Sequence, residues 1–379
     1  MKEEKEKKKK KGSKILIILL VVIVIAAGVL AAKIYFDKLN ENNLDGESNE
    51  DNEPITMVLK EKKINIFNGE QRPVAVMIDN VGKDAWPQVG FNDAYFVYEI
   101  IVEGGISRMM VLFKGTMPEE IGSIRSARPY YIDYALEHDA IFVHYGHTIK
   151  AEDDLKALDV DHIEGLYDEK PFWRTNSLYA PHNVSSSMER IQTAIESYGF
   201  RNTSTDKGFK YVADDYDLEP VYEAVVDDSE LEDAIGDPPI PVVTNIANSV
   251  KVTYSTTHST SYTYDAESKL YKRFMRGVAH TDRITKEQYT AKNIIIQFVP
   301  NSALGDTREV PDKGYQKLSN IGSGNGYFIT NGKFVEITWQ KTARASKTLY
   351  IDLDGNEIVL NDGITYVQIT PENQKVVIE

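Results

Sequence analysis

The chain contains no cysteine among its 379 residues. Disulfides therefore add nothing to its stability, and thiolate metal centres and cysteine nucleophiles are excluded. Other chemical signatures are missing or incomplete. No G-x-S-x-G nucleophile elbow occurs. The glycine-rich "GSGNG" at Gly322–Gly326 lacks the Lys-Ser/Thr pair and the following helix of a phosphate loop. "DLDGNE" lacks the full ligand series of a calcium loop and reads as a hairpin turn. His144 and His147 follow a strand and have no glutamate between them, unlike the paired histidines of a zincin helix, so no metal site and no cofactor are expected. No repeat of 20–50 residues is visible.

Positive charge is scarce and unevenly placed. Lys and Arg total 43 against 58 Asp and Glu, for a net −15. The first fourteen residues nevertheless hold eight lysines and three glutamates, a local +5. Eighteen uncharged, mostly apolar residues follow, Ile15 to Ala32, then "KIYF". With this flank the run can span a hydrocarbon core of about 30 Å, and it exceeds the roughly 7–15 residues of a secretory h-region. A single-pass transmembrane helix at 15–36 is therefore expected, with a basic cytoplasmic tail at 1–14 and everything after Phe36 outside the cell. A cleaved signal peptide ending near "AAGVLAA" is the alternative. With +5 in the tail and +1 at Lys33 set against the total of −15, residues 37–379 carry −21. That balance argues against nucleic acid or an anionic membrane as bulk partners, and an anionic ligand would need a local basic pocket. The acidic runs Glu152-Asp153-Asp154 and Asp214-Asp215 read as solvated surface.

Residues 37–56 are polar and acidic and read as a flexible tether. From 57 to 235 strands alternate with helices, which predicts an α/β domain with a mixed sheet and flanking helices. "RPVAVMIDN" is a strand ending in a turn, and "DAYFVYEIIVEGGISRMMVLFKG" is two buried strands joined at Gly104-Gly105. Pro129 starts a helix with Arg128 as its N-cap, and Tyr131, Tyr134 and Ala135 share one face. "FVHYG" reads as a strand and "IKAEDDLKAL" as a short helix. The clearest helix follows "PHNV": Ser186 and Glu189 have capping-box spacing, Met188, Ile191, Ile195 and Tyr198 form a stripe, and Gly199 ends it. "GDPPIPVV", residues 236–243, reads as a semi-rigid linker. Residues 244–379 are rich in β-formers, and Asn331-Gly332 and Asp354-Gly355 are hairpin signals. A mainly antiparallel β domain is expected there, with one helical turn near "TKEQYT".

"IGSIRSARP" places Arg125 and Arg128 beside a helix N-terminus, where an unanswered cation costs roughly 0.3–1 kcal/mol. Arg108 lies close behind, across the "VEGGISR" turn from Glu103. Such a cluster predicts a nearby anion, since helix N-termini and guanidinium forks both suit oxyanions. Two readings stand. In the first, Arg108, Arg125 and Arg128 form a ligand pocket, with Asp79, Glu103, His182 and Asn183 orienting the ligand. In the second, Glu99, Glu103 or Asp133 answer the arginines as an internal network. His182 and Glu103 are the candidate general bases.

The segments "RPVAVMIDN", "YEIIVEGGISRMMVLF", "IGSIRSARPYYIDYA", "APHNV", "RGVAHTDRITKEQYTAKNIIIQ" and "GYFITNGKFVEITWQK" resemble the YerB family of bacterial cell-envelope proteins. The resemblance covers residues 65–379. It implies an extracytoplasmic, membrane-tethered protein with an N-terminal domain of unknown function and a distinct C-terminal one, and members are often described as lipoproteins. This chain departs on that point: without cysteine it has no lipobox, so its transmembrane helix would be the anchor. The family supplies no established activity. The order of strand, turn, strand, arginine loop and helix is also similar in layout to the LytR-CpsA-Psr phosphotransferases. Ser107 and Arg108 stand where a metal-binding aspartate and its neighbour would be expected there, which puts magnesium-dependent transfer in doubt.

The leading expectation is a membrane-anchored protein that binds an anionic wall or lipid-linked ligand through the arginine pocket. An envelope-polymer phosphotransferase or hydrolase using the same residues is the alternative. A structural module contacting an envelope protein partner is the third.

Overall fold

The computed structural model describes residues 70–205, 208–212, 216–221, 244–310 and 313–379. The expected basic tail, membrane helix, tether and proline-rich linker, together with Asp214-Asp215, lie outside these residues. Among the described residues no helix is long and apolar enough to cross a membrane.

The framework is a ten-stranded mixed sheet. In chain order its strands are β1 (Val74–Ile78), β2 (Phe96–Ile101), β3 (Ser107–Phe113), β4 (Ile141–His144) and β5 (His162–Glu164) from the first half. The second half contributes β9 to β13 after three strands of a separate sheet. Those three are β6 (Ser249–Thr253), β7 (Ser259–Asp265) and β8 (Leu270–Met275). The large sheet then takes β9 (Asn293–Val299), β10 (Gly322–Thr330), β11 (Lys333–Lys341), β12 (Leu349–Asp352) and β13 (Thr365–Pro371). A final strand, β14 (Val376–Ile378), returns to pair with β6. The spatial order of the large sheet is β12-β11-β10-β9-β13-β2-β3-β1-β4-β5. The domains expected on either side of the linker are thus joined edge to edge, by a parallel pairing of β2 with β13 from Phe96↔Thr365 to Ile100↔Ile369.

Local chemistry explains the elements. Every residue of β1, β2 and β3 is buried, as strands covered on both faces require. Gly104 and Gly105 take φ of 67° and 71° between β2 and β3. Asn331 and Gly332, both at positive φ, close the β10–β11 hairpin. Three helices flank the first half: α1 (Pro129–Glu137), α2 (Ile149–Ala157) and α3 (Met188–Tyr198). Arg128 is the extended N-cap of α1, and Gly199 ends α3 in the left-handed region. The cap of α3 is Ser187, one residue later than the capping-box spacing indicated, because Val184–Ser186 is drawn into a small strand and Ser186 Oγ donates to the Pro171 carbonyl. Tyr198 falls off the buried stripe and is 40% exposed. The segment near "TKEQYT" is a turn rather than a helical one, built by the Asp282 carboxylate accepting the N–H groups of Ile284 and Thr285. Asp154 is also not solvated: it is buried against Lys150 and Arg344.

The pleat of β2 sends neighbouring side chains to opposite faces. Tyr98 faces α1, where it stacks on Tyr134 at 4.8 Å and its hydroxyl bonds Glu137 and His138. Glu99 faces the β6–β8 sheet and is fully buried. It accepts from Asn80, Ser107 and Thr260, and its Oε2 lies 2.6 Å from Arg273 Nη2, also fully buried. Arg273 bonds His280, whose Nε2 meets Gln88 Oε1 at 2.6 Å. A completely enclosed ionic junction therefore ties the two halves. Arg273→Met leaves Glu99 charged without its partner and is expected to cost about 3–5 kcal/mol in urea unfolding. Adding Glu99→Met should recover part of that loss, since removing both charges is far cheaper than removing one.

Candidate functional site

The residues singled out at the ends of β1, β2 and β3 converge. Glu103, in the turn after β2, lies between two arginines. Arg128 grips it with both branches: Nε donates to Oε2 at 2.8 Å, and Nη2 bonds Oε1. Arg108 Nη2 reaches the same Oε1 at 3.2 Å. Each arginine also donates to a main-chain carbonyl, Arg108 Nη1 to Ser126 and Arg128 Nη1 to Ala127 at 2.6 and 2.7 Å, while Arg108 Nε is buried without a hydrogen-bond partner among the described residues. Arg108 and Arg128 are buried, so these contacts commit them to the fold. The helix start that looked adverse for a cation is answered internally by Glu103, one of the three acids the alternative reading named. The other two are committed elsewhere: Glu99 to Arg273, and Asp133 to Arg344.

A second group adjoins the first. Asp79, buried at the end of β1, accepts from His182 Nδ1 at 2.7 Å. Arg125 Nε lies 2.9 Å from the same Oδ2, close enough for an ion pair but outside hydrogen-bonding alignment. Arg125 and His182 remain 25% and 19% exposed at their side chains, which makes them the accessible members of the cluster. Among the described residues neither the terminal nitrogens of Arg125 nor His182 Nε2 has a hydrogen-bond partner. Asn183 turns away: its amide holds the 175–183 loop through the Thr175 carbonyl and accepts from Arg174 at 2.9 Å.

Charge in the cluster is unbalanced, with three guanidiniums facing two carboxylates. Burial pushes the Asp79 carboxyl up, but the His182 hydrogen bond and the charges of Arg108 and Arg125 outweigh it and leave the pKa lowered. Glu103 shows the same contest more strongly, with burial opposed by Arg128 and Arg108, and its pKa falls to about 2. Arg108 pays for the crowding: burial and the neighbouring Arg128 bring it down to about 10, still charged at neutral pH.

The larger hollows lie elsewhere. One of about 470 Å³ opens beside Tyr130, Lys150 and Arg344, and one of about 690 Å³ lies along Phe328, Phe334 and Leu353. Neither contains a residue of the arginine cluster. A small hollow of about 140 Å³ is lined by Tyr145, Glu169, Phe172, Trp173, Arg174 and Val184. Tyr145 N–H bonds the Arg125 carbonyl, and Arg174 lies over the Tyr145 ring at 5.4 Å. Trp173 and Arg174 lie in the short strand Phe172–Arg174, whereas Tyr145 was hidden in "FVHYG", a run read only as a strand. No spacing rule links it to residue 125.

Glu103 carries a stability signature. Its folded pKa lies below the ordinary carboxylate value, so its contribution is complete above about pH 4.5 and is lost as pH falls toward 2. Glu103→Gln is expected to remove that acid-limb dependence in urea titrations between pH 5 and 2. It should also destabilise the protein by about 3–5 kcal/mol at pH 7, where two buried guanidiniums lose their anion.

Comparison with known proteins follows this architecture. Residues 61–201 match the family model "Protein of unknown function (DUF3048) N-terminal domain", and residues 250–367 match the corresponding C-terminal domain. The chain is 28% identical over 323 residues to a Bacillus subtilis protein named "Putative lipoprotein YerB", covering 84% of this chain and 86% of that one. It is also similar to the crystal structure of YerB protein from Bacillus subtilis, with a TM-score of 0.66 and 27% identity over 81% of this chain and 94% of that chain. The two family matches together span more than half of the sequence, in the order and positions of the two halves of the fold, and the chain belongs to the DUF3048 family.

Proposed function

We propose that the chain is a membrane-anchored envelope protein, its described residues outside the cell, that binds an anionic wall or lipid-linked glycan at the Arg125–His182 edge. The lipoprotein name of its relative and the basic-flanked apolar run at 15–36 support the location. One observation carries the binding reading. Arg108 and Arg128 are buried and held by Glu103 and main-chain carbonyls, while Arg125 and His182 keep polar atoms without a protein partner at side chains 25% and 19% exposed. The role given to three arginines thus contracts to one exposed guanidinium, with Asp79 orienting His182 beside it and Arg108 and Arg128 building the support. The hollow bordered by Tyr145, Phe172 and Trp173 supplies aromatic faces on which a sugar ring can stack, next to cations for its phosphate or carboxylate. Arg125→Ala in the full-length chain is expected to weaken binding to muropeptides or polyprenyl-phosphate sugars by at least about tenfold, the loss of one charge-assisted hydrogen bond. Titration by calorimetry against wild type checks this, and unchanged affinity removes the reading.

A second reading rests on a different observation, the 2.7 Å contact from Asp79 to His182 Nδ1. With Nδ1–H held by the carboxylate, Nε2 carries the lone pair and has no hydrogen-bond partner among the described residues, which is the arrangement a general base needs. Glu103, held ionised near a pKa of 2, is a much weaker proton acceptor. If the protein hydrolyses or transfers an envelope polymer, His182→Ala should lower kcat by about 10²–10⁴-fold with KM little changed. Asp79→Asn should shift the pH profile. Both are read by product release from a lipid-linked or muropeptide substrate.

A further inference from the structure

At one edge of the large sheet β4 and β5 run parallel, with His144 directly opposite Glu164. Their side chains therefore share a face of the sheet. His147 follows three residues later, its backbone fixed by a bridge to Ala127 just before α2. Both histidines aim Nδ1 at one atom: Glu164 Oε2 lies 2.9 Å from His144 Nδ1 and 2.8 Å from His147 Nδ1. One donor atom from each of the three residues lies within 4.8 Å of the others.

The surroundings match what metal ligands require. Glu164 Oε1 is occupied by the N–H groups of Gly146 and Leu166, at 2.8 and 2.9 Å, which fixes the carboxylate and leaves Oε2 facing the histidines. The other ring nitrogens also have partners. His144 Nε2 lies 3.1 Å from His162 Nδ1, and His147 Nε2 lies 3.5 Å from Glu152 Oε2. Outer partners of this kind set the tautomer and orientation of a ligating imidazole. The competing acceptor is the Gly146 carbonyl, 2.9 Å from His144 Nδ1. A cation would take that nitrogen's lone pair, with the ring proton on Nε2 donated to His162.

We infer that His144, His147 and Glu164 form a zinc site with two imidazoles and one carboxylate. Imidazole donors select zinc over calcium or magnesium, and three protein ligands leave a fourth position for water. Bonds of about 2.0–2.1 Å in a tetrahedron separate ligand atoms by about 3.3 Å, so each histidine's spacing to Glu164 Oε2, now 2.9 and 2.8 Å, has to widen by about half an ångström. Entry is from the His147 side, where the side chain is 12% exposed; His144 and Glu164 are almost fully covered. A bound ion would clamp the β4–α2 connection to β5.

The test uses the full-length chain in detergent, prepared without a polyhistidine tag, stripped with EDTA and titrated with zinc chloride. One zinc per chain should survive dialysis, measured by plasma mass spectrometry, and should raise the Tm. His147→Ala should abolish retention and the zinc-dependent rise in Tm, each judged against the same variant melted in EDTA. Glu152→Gln, a surface change outside the ligand set, should weaken calorimetric affinity by about 10–100-fold. Less than stoichiometric zinc in wild type overturns the inference. So does one equivalent whose affinity is indifferent to both substitutions.

Discussion

The fold depends on a charge pair that water never reaches. Glu99 sits at the centre of an otherwise apolar strand, and its acid can be buried only because Arg273 arrives from the second sheet with Thr260 beside it. The two side chains come from residues 174 positions apart. Their pairing fixes the angle and register at which the β6–β8 sheet lies on the large one. Apolar contacts between sheets tolerate sliding, whereas a buried carboxylate held by four donor groups does not. The same face then carries Tyr254 and Gln368, whose bonds to the Glu99 carbonyl and Tyr262 extend the polar seam along β13.

The arginine cluster follows from a similar constraint at smaller scale. Positive charge beside the start of α1 is tolerated because the β2–β3 turn delivers Glu103 to the same point. Glycines at 104 and 105 let that turn close tightly enough to do so. Having anchored Arg128 and Arg108, Glu103 has nothing left for Arg125. Asp79 is shared between Arg125 and His182 and satisfies neither completely. Arg125 and His182 are thus left as the partly exposed members of a cluster whose other cations are committed to the fold.

What the sequence made legible was local. Pro129 after Arg128, Gly199 after Tyr198 and Asn331-Gly332 each act through one or two dihedral angles, and each stands where its chemistry indicated. The convergence of Asp79, Glu103, Arg108 and Arg128 was also readable, because the first three stand at the ends of adjacent strands and the last at a helix start. Partner choice was not. Nothing in the spacing of Glu99 distinguishes Arg273 from Arg125, and only the second sheet decides it. The single continuous sheet was equally hidden: hairpins announce themselves by their turns, but the parallel pairing of β2 with β13 joins residues more than 260 positions apart and leaves no local mark. Glu164 likewise meets His144 through strand order rather than through any motif.

The position of β13 has a consequence for how such a chain comes together. This strand lies near the C-terminus, yet it occupies the middle of the sheet, between β9 and β2. Until it arrives, β2 and β9 each present an open row of amide and carbonyl groups to whatever strand is nearby. A polypeptide delivered N-terminus first therefore holds its central slot vacant until Thr365–Pro371 emerges. That strand acts as a keystone, and removing it would divide the sheet in two.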